Sequence, residues 1–173
     1  MGWIQTYSGK RFDPMEPRPE QIEIVDIAHA LSLLCRFKGH CLMFYSVAEH
    51  CVRVSRVLPP EHALWGLMHD AAEAYLSDVP RPLKARLPGF QEAEDRLLRL
   101  ICGKYGLGWP MPPEVHRADT LLLSTEARDL MAPPPEPWGL DVAPLPERIT
   151  PWPAPEAEAN FLRRFGELSR AGR

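Results

Sequence analysis

The chain has 173 residues, 45% of them hydrophobic and 25% charged, with a net charge of −3. That length fits one domain of ordinary size, and the mild acidity supplies no basic stripe for duplex nucleic acid. No run approaches the roughly 18 apolar residues of a membrane span and Met1 to Lys10 carries no leader signature, so no membrane partner and a cytoplasmic location are expected.

Trp3 to Phe12 encloses Ser8-Gly9 and reads as a short hairpin in an otherwise irregular N-terminus, because Pro14, Pro17 and Pro19 oppose further pairing. Apolar residues at 24, 27, 28, 31, 34 and 35 form a helical stripe over Ile24 to Phe37, which breaks at Lys38-Gly39-His40. Ser46-Val47-Ala48-Glu49 has the form of a capping box, so a second helix is expected from Ser46 to about Val57. Pro59-Pro60 ends it. A third helix is expected from Glu61 to about Leu76, followed by a loop enforced by Pro80 and Pro82. A fourth runs from about Phe90 to Tyr105, closed by Gly106 and Gly108, and a fifth from about Pro113 to Met131.

Residues 132–155 hold nine of the chain's 20 prolines and read as an irregular strap, with Trp138 and Trp152 packing it on the body. A last amphipathic helix over 156–170 presents Phe161, Leu162, Phe165 and Leu168. The expected fold is all-α: one helical bundle spanning 1–173, with its core in about 24–131. Cys35, Cys41, Cys51 and Cys102 form no C-x-x-C pair and are expected as reduced thiols, each acting as a small buried hydrophobe.

Three polar insertions into apolar helical runs carry the chemistry. His50 falls in the middle of the second helix, between Val47 and Val54. His69-Asp70 follows the apolar run Ala63 to Met68. Asp119 directly precedes Leu121-Leu122-Leu123 in the fifth helix. A buried carboxylate costs several kcal/mol unless it is paired or coordinated. Three helices bearing such groups therefore suggest one shared ion. Imidazole nitrogen with carboxylate oxygen suits zinc, manganese, iron, cobalt or nickel better than calcium or magnesium alone.

The segments SVAEH (His50), LMHDAAEAYLSDVPRPLK (His69-Asp70) and HRADTLLLSTEARDL (Asp119) resemble the HD-domain phosphohydrolase superfamily. The resemblance runs from about Ile27 to Arg128. Within the superfamily it is strongest to bacterial 5′-deoxynucleotidases and phage deoxynucleoside triphosphohydrolases. It implies an HD-type helical bundle and His50, His69, Asp70 and Asp119 as ligands of a divalent transition metal, with room for a second ion such as magnesium. It also implies Glu73 and Asp78 as acidic catalytic residues, Arg36 and Phe37 as a phosphate-and-base contact pair, and a homodimer or higher oligomer. Arg81 and Lys84 add positive charge suited to phosphate.

The implied reaction is hydrolysis of a deoxynucleoside 5′-phosphate, mono- or triphosphate, by a metal-activated water. Two alternatives stand beside it: another phosphoester such as a cyclic nucleotide, or a catalytically silent nucleotide-binding protein. Each site residue also has a plainer reading. Glu73 and Arg36 suit helix-end ion pairs, Asp78 a turn, and Arg81 and Lys84 solvated surface. His29, His40 and His116 fit structural or supporting places, and His62 an exposed helix start.

Overall fold

Proline and glycine punctuate this chain, and helices fill the intervals. The structure, a computed structural model, describes residues 2–171 and is mostly helical. The expected hairpin forms: β1 (Ile4–Gln5) pairs antiparallel with β2 (Arg11–Phe12). Phe12 is fully buried and stacks on Tyr75 with ring centroids 4.1 Å apart, which ties the hairpin to the helices.

Helix α1 (Ile24–Leu33) stops four residues short of the expected Phe37. Leu34 turns extended while its N–H still bonds the Ala30 carbonyl, and Cys35 then bridges antiparallel to Ser46. Arg36–Gly39 follow as a tight turn with Phe37 (φ 55°) and Lys38 (φ 53°) in the left-handed region. Non-glycine residues held there store of order 1–3 kcal/mol each. The apolar stripe at Leu34 and Cys35 thus belonged to a bridge, and Arg36 and Phe37 leave the helix.

Helix α2 (Val47–Val57) begins as the sequence predicts: Ser46 Oγ accepts the Glu49 N–H at 3.1 Å. The return half of the capping box is absent, because the Glu49 carboxylate accepts instead from Arg53 and from the Trp152 N–H at 2.7 Å. The expected third helix divides into α3 (Pro60–Met68) and α4 (Glu73–Leu76). Between them Ala71 N–H bonds Met68 O and Glu73 N–H bonds Asp70 O, a three-residue spacing that tightens the coil. His69 and Asp70 therefore sit at a helix end and not inside a helix.

The loop expected around Pro80 and Pro82 contains α5 (Arg81–Lys84); prolines are tolerated in a first turn whose N–H groups have no helical acceptor anyway. Helix α6 (Phe90–Tyr105) matches its expected bounds and ends on Gly106 at φ 74°. Helices α7 (Pro113–Leu130) and α8 (Ala154–Ala171) also lie where expected.

Helix α2 is the hub. It packs against α1, α3, α7 and α8, and Val47, Ala48, Cys51, Val52 and Val54 are fully buried on it. Helix α8 returns across α1, α2 and α3, burying Ala157 and Phe161 completely. Gly66 lets α3 approach α2, since a Cβ there would lie 3.1 Å from the Ser55 Cα and 3.2 Å from its nitrogen.

Residues 132–153 form no element, and side chains satisfy much of their backbone. Thr125 Oγ1 accepts from Leu145 N–H at 3.0 Å, Asp129 from Ile149 N–H at 2.9 Å, and Ser124 and Arg128 donate to strap carbonyls. Trp152 lies under the Arg53 and Arg56 guanidinium groups, 4.9 and 5.3 Å from its ring, whereas Trp138 is 41% exposed. Of the cysteines only Cys51 and Cys102 are buried, against the expectation for all four; Cys35 and Cys41 are partly exposed. No helix among the described residues is long and apolar enough to cross a membrane.

Candidate metal centre

Helix α2 carries His50 into the middle of the core, where its side chain is fully buried. Two segments meet it: the α3–α4 turn brings His69 and Asp70, and the second turn of α7 brings Asp119. His50 Nε2 lies 3.3 Å from His69 Nε2, 3.2 Å from Asp119 Oδ1 and 3.8 Å from Asp70 Oδ2. His69 Nε2 and Asp70 Oδ2 are 3.3 Å apart. Donor atoms held about 2.1 Å from one ion stand roughly 3.0–3.4 Å from each other in octahedral or tetrahedral arrangements. Three of these four distances fall in that range; the fourth, Asp70 to His50 at 3.8 Å, lies beyond it. Donor atoms of His50, His69 and Asp119 all lie within 4.8 Å of one another, so this cluster can hold a metal ion.

Both imidazoles are oriented from behind. His50 Nδ1 is 2.6 Å from Glu126 Oε1, and His69 Nδ1 is 2.8 Å from the Gly66 carbonyl. Each partner is an acceptor, so each Nδ1 carries a proton, and on metal binding each Nε2 would turn a lone pair to the shared point. Burial alone would push the His50 pKa down, and so would Arg36. Glu126 and Asp119 outweigh both and raise it to about 9. His50 in turn helps hold the Asp119 carboxyl far below its usual range against the opposing effect of burial. A cation at the shared point would take over the neutralising role of the His50 proton.

Glu126 is the residue that the sequence reading missed. It is fully buried on α7 and accepts from His50, from Tyr45 OH at 2.9 Å and from Arg36 Nε at 3.2 Å. It lies seven residues beyond Asp119, two helical turns along the same face. That spacing was the available signal; Thr125, Ala127 and Arg128 around it hide the burial. Cys51 was missed as well: its sulfur clusters with donor atoms of His69 and Asp70 within 4.8 Å, and burial pushes its thiol well above the usual range.

The acidic candidates lie beside this cluster. Glu73 is 7% exposed, and its Oε2 has no hydrogen-bond partner among the described residues. Burial, then Asp70 and Asp78, raise its pKa well above the ordinary value, with Arg36 and Lys84 opposing. Asp78 thus falls within the field of Glu73, and its backbone carbonyl accepts from Lys38 Nζ.

The cationic candidates are already engaged. Arg36 pairs with Glu126 at 3.1 Å and reaches Asp70 at 3.7 Å, and these carboxylates keep it charged despite burial. Arg81 is 75% exposed but bonds Asp119 Oδ2 at 3.0 Å. Lys84 is held by both oxygens of Glu94 at 2.6 and 2.7 Å. Phe37 packs edge-on to Trp138 of the strap, centroids 6.0 Å apart. Of the other histidines, His29 stacks on Tyr7 and pairs with Glu158, a structural arrangement.

No family model matches the chain. Over 172 residues, 98% of this chain and 97% of the relative, it is 42% identical to the uncharacterized protein YfdR of Escherichia coli (strain K12). It is 36% identical over 142 residues to the uncharacterized protein RCAP_rcc00048 of Rhodobacter capsulatus, covering 74% of this chain and 72% of that one.

Proposed function

We propose that this chain, which belongs to the same family as YfdR of Escherichia coli, is a metal-dependent phosphohydrolase of the HD type acting on deoxynucleoside 5′-phosphates. One observation carries the reading: two imidazoles held at Nδ1 by acceptors bring both Nε2 atoms together beside Asp119, with Asp70 next to His69 at the rim of the cluster. A divalent transition ion held there by His50, His69, Asp70 and Asp119 would supply Lewis acidity for phosphoryl oxygens and acidify a water.

The chain's own residues divide the remaining work. Glu73 is buried with an open oxygen, suited to orient a water and accept its proton. Asp78 stands behind it and tunes its charge. Arg36 and Arg81 sit on the carboxylates that face the centre and offer N–H donors to an incoming phosphate. Because Arg36, Arg81 and Lys84 each already have a carboxylate partner, a monophosphate fits the local charge better than a triphosphate.

The test has two stages. Elemental analysis of purified protein should find about one transition-metal ion per chain. The loaded protein should then release phosphate from a panel of deoxynucleotides, and Asp70→Ala should abolish release. Full activity in that variant overturns the metal mechanism. Turnover only outside the deoxynucleotides points to another phosphoester, and nucleotide binding without turnover points to a silent binding protein.

A further inference from the structure

The turn that carries Arg36 is bracketed by two thiols. Cys35 Sγ and Cys41 Sγ stand 3.5 Å apart, and both residues are partly exposed. A disulfide needs about 2.05 Å between sulfurs. Closing the remaining gap takes rotation of both side chains together with a small shift of the turn between them. Cys35 is fixed by its bridge to Ser46, and the Cys41 thiol rests against the Arg36 carbonyl at 3.7 Å. The other two cysteines are buried elsewhere: Cys51 in α2 and Cys102 in α6.

We propose that Cys35 and Cys41 form an oxidation site, closing to a reversible disulfide around Arg36-Phe37-Lys38-Gly39-His40 when a peroxide is present. One thiolate attacks the peroxide, becoming a sulfenic acid as one oxygen leaves as water after protonation. The second thiolate attacks that sulfur and expels the other oxygen as water. Two thiols lose two electrons and two protons, and one hydrogen peroxide becomes two waters.

The segment inside the ring is strained, with Phe37 and Lys38 at positive φ and Arg36 reaching Glu126 and Asp70. Drawing the sulfurs together must move this turn, and Arg36 moves with it. Burial, followed by the facing Cys35 thiol, holds Cys41 above its usual pKa, so closure is expected to quicken as pH rises.

The experiment uses the full native chain treated with hydrogen peroxide, followed by thiol counting and peptide mapping. Two of the four thiols should disappear, a Cys35–Cys41 linked peptide should appear about 2 Da lighter than the two thiols together, and dithiothreitol should restore both. Cys41→Ser should yield no link and leave a sulfenic acid on Cys35 that dimedone traps. A link involving Cys51 or Cys102, or separate over-oxidation of Cys35 and Cys41 without a link, overturns the proposal. These readouts need no enzymatic activity, so they stand or fall apart from the phosphohydrolase reading. A dithiothreitol-reversible change in phosphate release would show that the closure reaches Arg36.

Discussion

Glu126 sees no solvent yet binds three partners, His50, Tyr45 and Arg36. An ionised carboxylate so deep is tolerable only because Arg36 neutralises it and every partner donates to it. Glu126→Gln keeps the shape and an acceptor for His50 Nδ1–H but removes the charge. It should weaken metal binding by roughly 10–100-fold, read by titration calorimetry with zinc, manganese and cobalt, while the fold survives. Unchanged affinity would mean that Glu126 only balances Arg36. Glu126→Ala strands Arg36 and should cost about 3–5 kcal/mol of stability in denaturant unfolding. His50, His69-Asp70 and Asp119 were legible in the sequence because each interrupts or abuts an apolar run. Glu126 was not, because its burial comes from Arg36, which sequence periodicity assigned to a helix, and from Tyr45, in the irregular stretch before Ser46.

Among the elements, the far end of the strap is held to α7 by Asp129, which binds Arg128, Arg148 and the Ile149 N–H. The Arg128 hydrogen bond comes first in holding the Asp129 carboxyl well below its usual range; burial opposes it, and the Ile149 and Arg148 contacts assist. A carboxyl depressed on folding contributes stability above its unfolded value of about 4 and loses it as pH falls through the folded value. Acidification below about pH 4 should therefore release the strap, seen as faster amide exchange over 140–150. Asp129→Asn should show that faster exchange at neutral pH and little further change on acidification.

The α2–α3 contact is tight at Gly66. Gly66→Ala should destabilise by about 1–3 kcal/mol in thermal unfolding, because the new methyl meets Ser55 backbone. Helix ends at Gly106 and the α2 start at Ser46 were readable from capping chemistry alone. The break between α3 and α4 was not: apolar residues keep a helical rhythm through 63–76, and only the hydrogen-bond spacing changes at His69-Asp70.

For the whole molecule, the centre joins segments that are far apart in the chain, so a bound ion acts as a cross-link of the folded state only. Ion at about 100 times its Kd should add about 2.7 kcal/mol, a rise in Tm of roughly 5–10 °C for a chain of this size. A chelator should reverse the rise, and Asp119→Ala should remove it; a shift that survives Asp119→Ala would place the ion elsewhere. The mostly helical class was legible because six helical stretches each carry an apolar stripe. The hairpin's attachment through Phe12 and Tyr75, and the return of α8 over α2, were not, since periodicity says which face is buried and nothing about the partner. That return has a consequence for biogenesis. The ribosome delivers His50, His69, Asp70 and Asp119 well before α8, which packs on the His50 helix and buries Ala157 and Phe161. A nascent chain thus exposes the donors before their scaffold is complete, and firm capture of an ion at this cluster would wait until α8 has emerged and docked.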